Sequence, residues 1–160
     1  MKIPEDFNIE ERAQQARQNF LDGYNCCQAV LMTFADVLEI DKDAAITIAS
    51  GFGGGMARMR EVCGTVSALC MAAGYISPAS DPSIKEERTK NYALVQELAG
   101  KFQEENGSIV CKELLGLVKS PVQESPEPSD RTAEYYRKRP CTELVACSAR
   151  ILATKLQQGS

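Results

Sequence analysis

Apolar residues recur at helical spacing along almost the whole chain, and this periodicity restricts the fold more than any other sequence feature. No segment keeps the alternation of apolar and polar residues that is typical of a half-buried strand. At 160 residues, the chain is long enough for one domain with its own hydrophobic core. We therefore predict an all-α fold, a compact bundle of about six to seven helices in a single domain over residues 1–160.

Capping residues mark several of the predicted helix boundaries. Gly23 closes a first amphipathic helix, Asn25 is suited to cap the second, and Pro140 stands at the start of the last. The proline-rich segment around residues 118–131 predicts an exposed loop. The predicted helices cover IEERAQQARQNFLDG, NCCQAVLMTFADVLEI, DKDAAITIAS, CGTVSALCMAAGYIS, IKEERTKNYALVQELAGKFQEENG, CKELLG, TAEYYRKR and PCTELVACSARILATKLQQ. The apolar positions predicted for the second and fifth of them are Ala29, Val30, Thr33, Phe34, Val37 and Leu38, and Tyr92, Val95, Leu98, Ala99 and Phe102.

The chain contains seven cysteines and no histidine. The absence of histidine excludes Ser–His and Cys–His nucleophile pairs and every mixed Cys/His metal site. In a reducing compartment, cysteines do not persist as structural disulfides. The chemistry of this chain must therefore rely on thiols, on carboxylates or on a bound group.

Charge and hydropathy restrict the partners and the location. A net charge of −4 argues against a nucleic-acid-binding protein. No segment reaches the roughly 18 apolar residues that a membrane-spanning helix needs, so we expect no membrane insertion. The polar first segment, MKIPEDFNIEERAQQARQNF, is unlike a signal peptide, and we expect a cytoplasmic protein.

Four cysteines fall in the first turn of four different predicted helices: Cys26, Cys63, Cys111 and Cys141. A helix N-terminus offers unpaired N–H groups and a partial positive charge, which lower the pKa of a thiol and stabilise a thiolate. Four such ends could hold an iron–sulfur cluster or another metal. The spacings of 37, 48 and 30 residues match neither a zinc ribbon nor a ferredoxin, so four unrelated cysteines remain the alternative.

The other three cysteines, Cys27, Cys70 and Cys147, are predicted to be packing residues. Cys27 lies about 100° around the helix from its neighbour in the quartet, and Cys70 lies roughly 10 Å beyond Cys63 along the same helix. Small apolar residues flank Cys70 and Cys147, as is typical of buried free cysteines.

A glycine-rich stretch, GFGGGMARMR, precedes Cys63. It predicts a tight turn between helices rather than a phosphate loop, because Met56 replaces the third glycine of a dinucleotide fingerprint and no Walker lysine follows. We expect the backbone amides of the glycines around the site, Gly53, Gly54, Gly55 and Gly64, to approach an anion bound by the thiols. The basic residues near the four cysteines in sequence are Arg58, Arg60, Lys112 and Arg139.

Four segments carry a resemblance to a known family: YNCCQAVL, GFGGGMARMREVCGTVSAL, GSIVCKELLG and RPCTELVACSARIL. Together they resemble the redox-active proteins named for a C_GCAxxG_C_C cysteine pattern, over most of the chain. The resemblance implies that the four pattern cysteines are Cys26, Cys63, Cys111 and Cys141. It also implies a helical protein with an iron–sulfur or other redox centre, often encoded beside transporters and oxidoreductases. The chain departs from the pattern at Thr65 and Ala68, where the family has alanine and glycine.

We therefore favour a redox protein that binds an iron–sulfur cluster, of unknown type, through these four cysteines and acts in electron transfer or redox sensing with a protein partner. No general base or substrate pocket is evident in the sequence, which favours a carrier over a catalyst. Three alternatives stay open: a metal-free thiol/disulfide protein, a structural zinc module with four thiolate ligands and a plain helical scaffold. Small-residue helix faces (Gly64, Ser67, Ala68 and Ala72) indicate close helix packing and leave a homodimer open.

Overall fold

The structure is a computed structural model, and it describes residues 1–117 and 124–159. The described chain is all-α, as predicted. The α-helices are α1 (Ile9–Leu21), α2 (Cys26–Leu31), α3 (Ala35–Leu38), α4 (Lys42–Ile48), α5 (Gly53–Met56), α6 (Gly64–Ile76), α7 (Lys85–Asn106), α8 (Cys111–Leu114), α9 (Ala133–Lys138) and α10 (Cys141–Gln158). Two 3₁₀ turns, Met32–Phe34 and Ser50–Phe52, lie between them.

The loop predicted around residues 118–131 is partly observed. Residues 124–131 contain no helix, and most of them are exposed. Residues 118–123 lie outside the described part of the chain. None of the described helices is both long enough and apolar enough to cross a membrane.

The second predicted helix is interrupted by the first of the 3₁₀ turns. Asn25 caps α2 as predicted, but polar side chains then compete for its last carbonyl groups. The Thr33 hydroxyl donates to Ala29 O at 2.7 Å, and Arg12 Nη1 donates to Thr33 O at 2.7 Å. These contacts bend the helix away from regular α geometry.

The main helix pair consists of α1 and α10. The faces of α1 and α10 that meet are rich in alanine, and Phe20 and Leu152 are almost fully buried beside them. Arg17 pairs with Glu143 at 2.9 Å, and Arg150 pairs with Glu10 at 2.6 Å, along the exposed edges of the pair. The first and last helices are therefore joined by side-chain packing, with ion pairs along the exposed edges of their contact.

The slender helix α6 packs between α2 and α7. Gly64, Ala68 and Ala72 of its small-residue stripe are buried, which confirms that the stripe serves close packing within the chain. On α7, the predicted apolar face is wrong at one position: Tyr92 is 59% exposed, and Leu94 is buried instead. Tyr92 was assigned to the apolar face because its side chain is aromatic. The buried residues Leu94, Leu98 and Phe102 are spaced four apart and form the apolar face, which does not include Tyr92.

Candidate functional site

The four cysteines at helix starts line one cavity of about 530 Å³. Cys26, Cys111 and Cys141 are the first residues of α2, α8 and α10, and Cys63 immediately precedes α6. All seven cysteines of the chain are free thiols. The structure thus brings together four residues that are spread over 115 positions of sequence.

Backbone pairing fixes Cys63 and Cys111 relative to each other. Val62 and Val110, the residues just before them, form an isolated antiparallel bridge. The N–H of Cys63 donates to Ile109 O at 2.8 Å, and the N–H of Cys111 donates to Glu61 O at 2.6 Å. Two of the four thiols are therefore held by main-chain hydrogen bonds rather than by side-chain packing.

Glycine allows the backbone to approach the thiols closely. A Cβ atom added to Gly64 would lie 2.5 Å from Cys26 Sγ and 2.6 Å from Phe52 O. A Cβ atom added to Gly55 would lie 2.7 Å from the Cβ of Cys111. The backbone N–H groups of Gly54, Cys27 and Gly64 act to lower the pKa of the Cys26 thiol, as expected for amides that stabilise a negative charge on sulfur.

The predicted turn before Cys63 has an unusual backbone. Every residue from Gly54 to Arg58 has a positive φ between 49° and 67°, so the short element α5 is not a regular right-handed helix, and Arg60 follows with a φ of 61°. Residues other than glycine rarely adopt this left-handed region, at a cost of about 1 kcal/mol or more each. The N–H groups of Arg60 and Glu61 donate to the carbonyls of Gly54 and Gly55, and they hold the turn closed. Such strain is typical of functional segments.

Burial dominates the protonation of the thiols. It raises the pKa of Cys63 to about 12 and that of Cys141 to about 11, and it also raises the pKa of Cys26. The expectation that helix starts would lower these pKa values is therefore wrong for these three cysteines, because burial outweighs the helix ends. Metal binding at such thiols would have to release protons.

Basic residues surround the thiols as the sequence suggested, with one exception. Arg58, Arg60 and Arg139 line the cavity, and Lys112 is not among the lining residues. Arg60 Nη1 lies 3.8 Å from Cys111 Sγ. On its other side, the Arg60 guanidinium binds the carboxylate of Glu124, from segment 124–131. Glu124 was not singled out from the sequence, since its partner lies 64 residues away.

Thr65 is a second residue that the sequence did not assign to the site. Its Oγ1 lies 3.1 Å from Cys63 Sγ, and the residue is fully buried. This is one of the two positions where the chain departs from the C_GCAxxG_C_C pattern. The departure therefore adds a hydroxyl contact to a thiol of the quartet.

The three remaining cysteines lie outside the lining of the cavity, as predicted. Cys27 and Cys147 are buried in the core, and Cys70 is half-buried. The Cys147 thiol donates to Glu105 Oε2 at 3.0 Å and accepts from Asn106 Nδ2 at 3.4 Å. Those polar contacts were not foreseen, because they join α10 to the end of α7.

The quartet lines a common space without converging on a single point. Within residues 1–117 and 124–159, no group of three or more cysteine, aspartate or glutamate side chains is arranged to hold one metal ion.

The fold and the cavity define a class: an all-α protein with four cysteines at helix starts around one cavity. The family model described as "Putative redox-active protein (C_GCAxxG_C_C)" matches residues 24–155. The chain belongs to this family of redox-active proteins, which confirms the resemblance seen in its cysteine segments. Comparison with curated proteins gave no match, and comparison with solved structures also gave none.

Proposed function

We propose that this chain binds an iron–sulfur cluster through Cys26, Cys63, Cys111 and Cys141 and acts as a redox carrier in electron transfer or redox sensing. The observation that carries the proposal is the meeting of these four thiols around one cavity, from four separate helix starts. When bound, such a cluster supplies one-electron transfer. Seven free thiols also fit a reducing compartment such as the cytoplasm.

The arrangement of the thiols favours a cluster over zinc. A structural zinc ion draws all four sulfur atoms to about 2.3 Å from one point. No three such side chains in the described part of the chain are arranged to hold a single ion. An iron–sulfur cluster instead distributes its thiolates over several irons, so its ligands line a space rather than meet at its centre.

The surroundings of the thiols fit an anionic group. The N–H groups of Gly54 and Gly64 on Cys26 Sγ would stabilise charge on that sulfur, and Arg60 would do the same beside Cys111. The raised pKa values of Cys63 and Cys141 disfavour the metal-free thiol/disulfide alternative, because the thiolate is the reactive form. A carrier of this kind requires a redox protein as partner, and we propose an oxidoreductase or a transporter-associated protein.

The test is anaerobic purification followed by iron, sulfide and zinc analysis and an ultraviolet–visible spectrum. We expect a brown protein with nearly equal amounts of iron and sulfide, and we expect the substitution Cys63→Ser to abolish both. Cys70→Ser is the matched control, since Cys70 lies on the same helix outside the cavity lining, and it should retain the colour.

Three outcomes would contradict the proposal. A protein that stays colourless after reconstitution with iron and sulfide does not bind a cluster. Stoichiometric zinc in place of iron would identify a structural site, and a complete lack of metal would leave thiol redox chemistry or a plain scaffold.

A further inference from the structure

The cavity is strongly basic although the protein is acidic. Of the described residues that line it, four are arginines, and none is an aspartate or glutamate. The whole chain, in contrast, has a net charge of −4. Positive charge focused in a concave site with apolar walls attracts anions. The lining arginines are Arg58, Arg60, Arg131 and Arg139.

Two of these arginines are engaged in the wall itself. Arg131 donates to the carbonyls of Phe20 and Tyr24 at 3.0 and 3.1 Å. Arg139 stacks over the ring of Tyr135 at 4.8 Å. These contacts fix the wall and leave the other two arginines as the pair that can receive a ligand.

Arg58 and Arg60 together hold one carboxylate, that of Glu124. Arg58 Nη2 lies 3.2 Å from Glu124 Oε1, and Arg60 Nη2 lies 2.9 Å from the same oxygen. Arg60 Nε donates to the second oxygen, so the Arg60 contact is bidentate. Two guanidinium groups that grip both oxygens of a carboxylate form a geometrically specific receptor for that group. The Glu124 carboxylate, which the two arginines bind in the structure, shows that a carboxylate fits between them.

This arginine pair lies directly beside the thiols. Arg60 is only 8% exposed, and its Nη1 reaches Cys111 Sγ at 3.8 Å. Leu114, Leu115 and Pro126 add apolar surface to the same cavity. A volume of about 530 Å³ falls in the range of small-molecule sites.

We propose that Arg58 and Arg60 are a binding site for the carboxylate of a small molecule with an apolar body, and that Glu124 is its intramolecular competitor. Glu124 is suited to exchange, because it lies in a segment without helix and its side chain is 29% exposed. Replacing one carboxylate by another keeps the charge balance of the arginine pair. The carboxylate of the ligand then lies across the Arg60 guanidinium from Cys111. The carboxylate contacts of this site are made by Arg58 and Arg60 and not by the four thiols.

The experiment is isothermal titration calorimetry with phenylacetate as the probe and its neutral analogue phenylacetamide as the control. The protein is purified anaerobically, and its iron content is measured in the same sample. The substitution Glu124→Gln removes the competing charge, and we expect it to tighten phenylacetate binding about tenfold. Adding Arg58→Gln to that variant should weaken binding about tenfold, whereas adding Arg88→Gln, at an arginine of α7 outside the cavity lining, should not.

The proposal is overturned if phenylacetate shows no binding to the Glu124→Gln variant up to about 10 mM. It is also overturned if phenylacetamide binds as tightly as phenylacetate, or if wild type and Glu124→Gln bind the acid equally. Circular dichroism checks that each variant is folded. If the double variant does not fold, two comparisons still test the proposal. One is phenylacetate against phenylacetamide, and the other is wild type against Glu124→Gln. Absence of iron with tight phenylacetate binding would refute the cluster and leave this site standing.

Discussion

The helix pair α1–α10 and the segment from residue 50 to residue 64 are stabilised in opposite ways. The pair is regular helix: α1 buries one face at the 3.6-residue period, and α10 is buried on nearly all sides from Leu144 to Ala153. The segment instead holds a left-handed turn, and a glycine there approaches the Cys26 thiol so closely that a methyl group would collide. Side chains specify the first region and main-chain geometry specifies the second. The thiol site depends on main-chain geometry, because the backbone at a glycine can approach a sulfur atom more closely than at any other residue.

A large-to-small substitution in the helix pair should produce the largest loss of stability. Leu152→Ala removes a fully buried side chain of α10 and should lower the free energy of unfolding by about 3 kcal/mol. Urea unfolding measures this loss, and Leu21→Ala, at a residue 41% exposed, is a control with a much smaller effect. Iron bound per folded molecule should stay unchanged. A loss of iron binding in folded Leu152→Ala would show that the two regions are not separate.

Adding one methyl group beside the thiols should disrupt the segment from residue 50 to residue 64. Gly64→Ala places Cβ 2.5 Å from Cys26 Sγ and close to a main-chain oxygen. We expect a loss of about 2 kcal/mol of stability together with loss of the bound iron. Gly74→Ala, in the same helix with nothing within 4 Å of the added Cβ, should be neutral or slightly stabilising. Equal iron content in the two variants would contradict the proposed role of the close approach.

An alanine-to-glycine substitution should change stability in opposite directions in the left-handed turn and on a regular helix. Ala57→Gly relieves a left-handed residue with a φ of 49° and should raise stability by about 1 kcal/mol. Ala93→Gly, on the exposed side of α7, should lower stability by about 1 kcal/mol. Thermal and urea unfolding of both variants test the contrast. Destabilisation by Ala57→Gly would mean that the turn carries no strain.

The smallest expected effect is on the free energy of unfolding at acidic pH. Hydrogen bonding to Arg60, assisted by Arg58, lowers the pKa of Glu124 from 4.5 to about 2. The folded state therefore gains stability from the ionised carboxylate above about pH 4.5 and loses it as the pH falls towards 2. Urea unfolding should show wild type about 1 kcal/mol more stable than Glu124→Gln at about pH 6, and a smaller difference at about pH 2.5. A difference that does not change with pH would show that the carboxylate is not held by the arginines.

The sequence predicted the parts of this molecule in which local preference and final structure agree. The helix starts identified Cys26, Cys63, Cys111 and Cys141 as a set, and helical periodicity with capping residues located the main helices. The glycine run predicted a turn at the right place. These predictions succeeded because capping, periodicity and glycine act over a few residues.

Features set by distant contacts were not predictable. Nothing in Ala57 or Arg58 favours a left-handed conformation, which is imposed by the hydrogen bonds that close the turn. The contact of Glu124 with Arg60 depends on a chain segment far away in sequence. The small size of Thr65 was read from the sequence, but the direction of its hydroxyl depends on the packed structure. Burial likewise reversed the expected direction of the pKa shift for Cys26, Cys63 and Cys141.

The wide separation of the four thiols along the chain has a consequence for protein synthesis. Cys26 and Cys141 are 115 residues apart, so at about 5 to 20 residues per second the ribosome adds the last thiol roughly 6 to 23 seconds after the first. During that interval, the early cysteines are present without the partners that later surround them. The complete set exists only once α10 has left the ribosome and docked. A reducing environment protects the incomplete set of thiols until then.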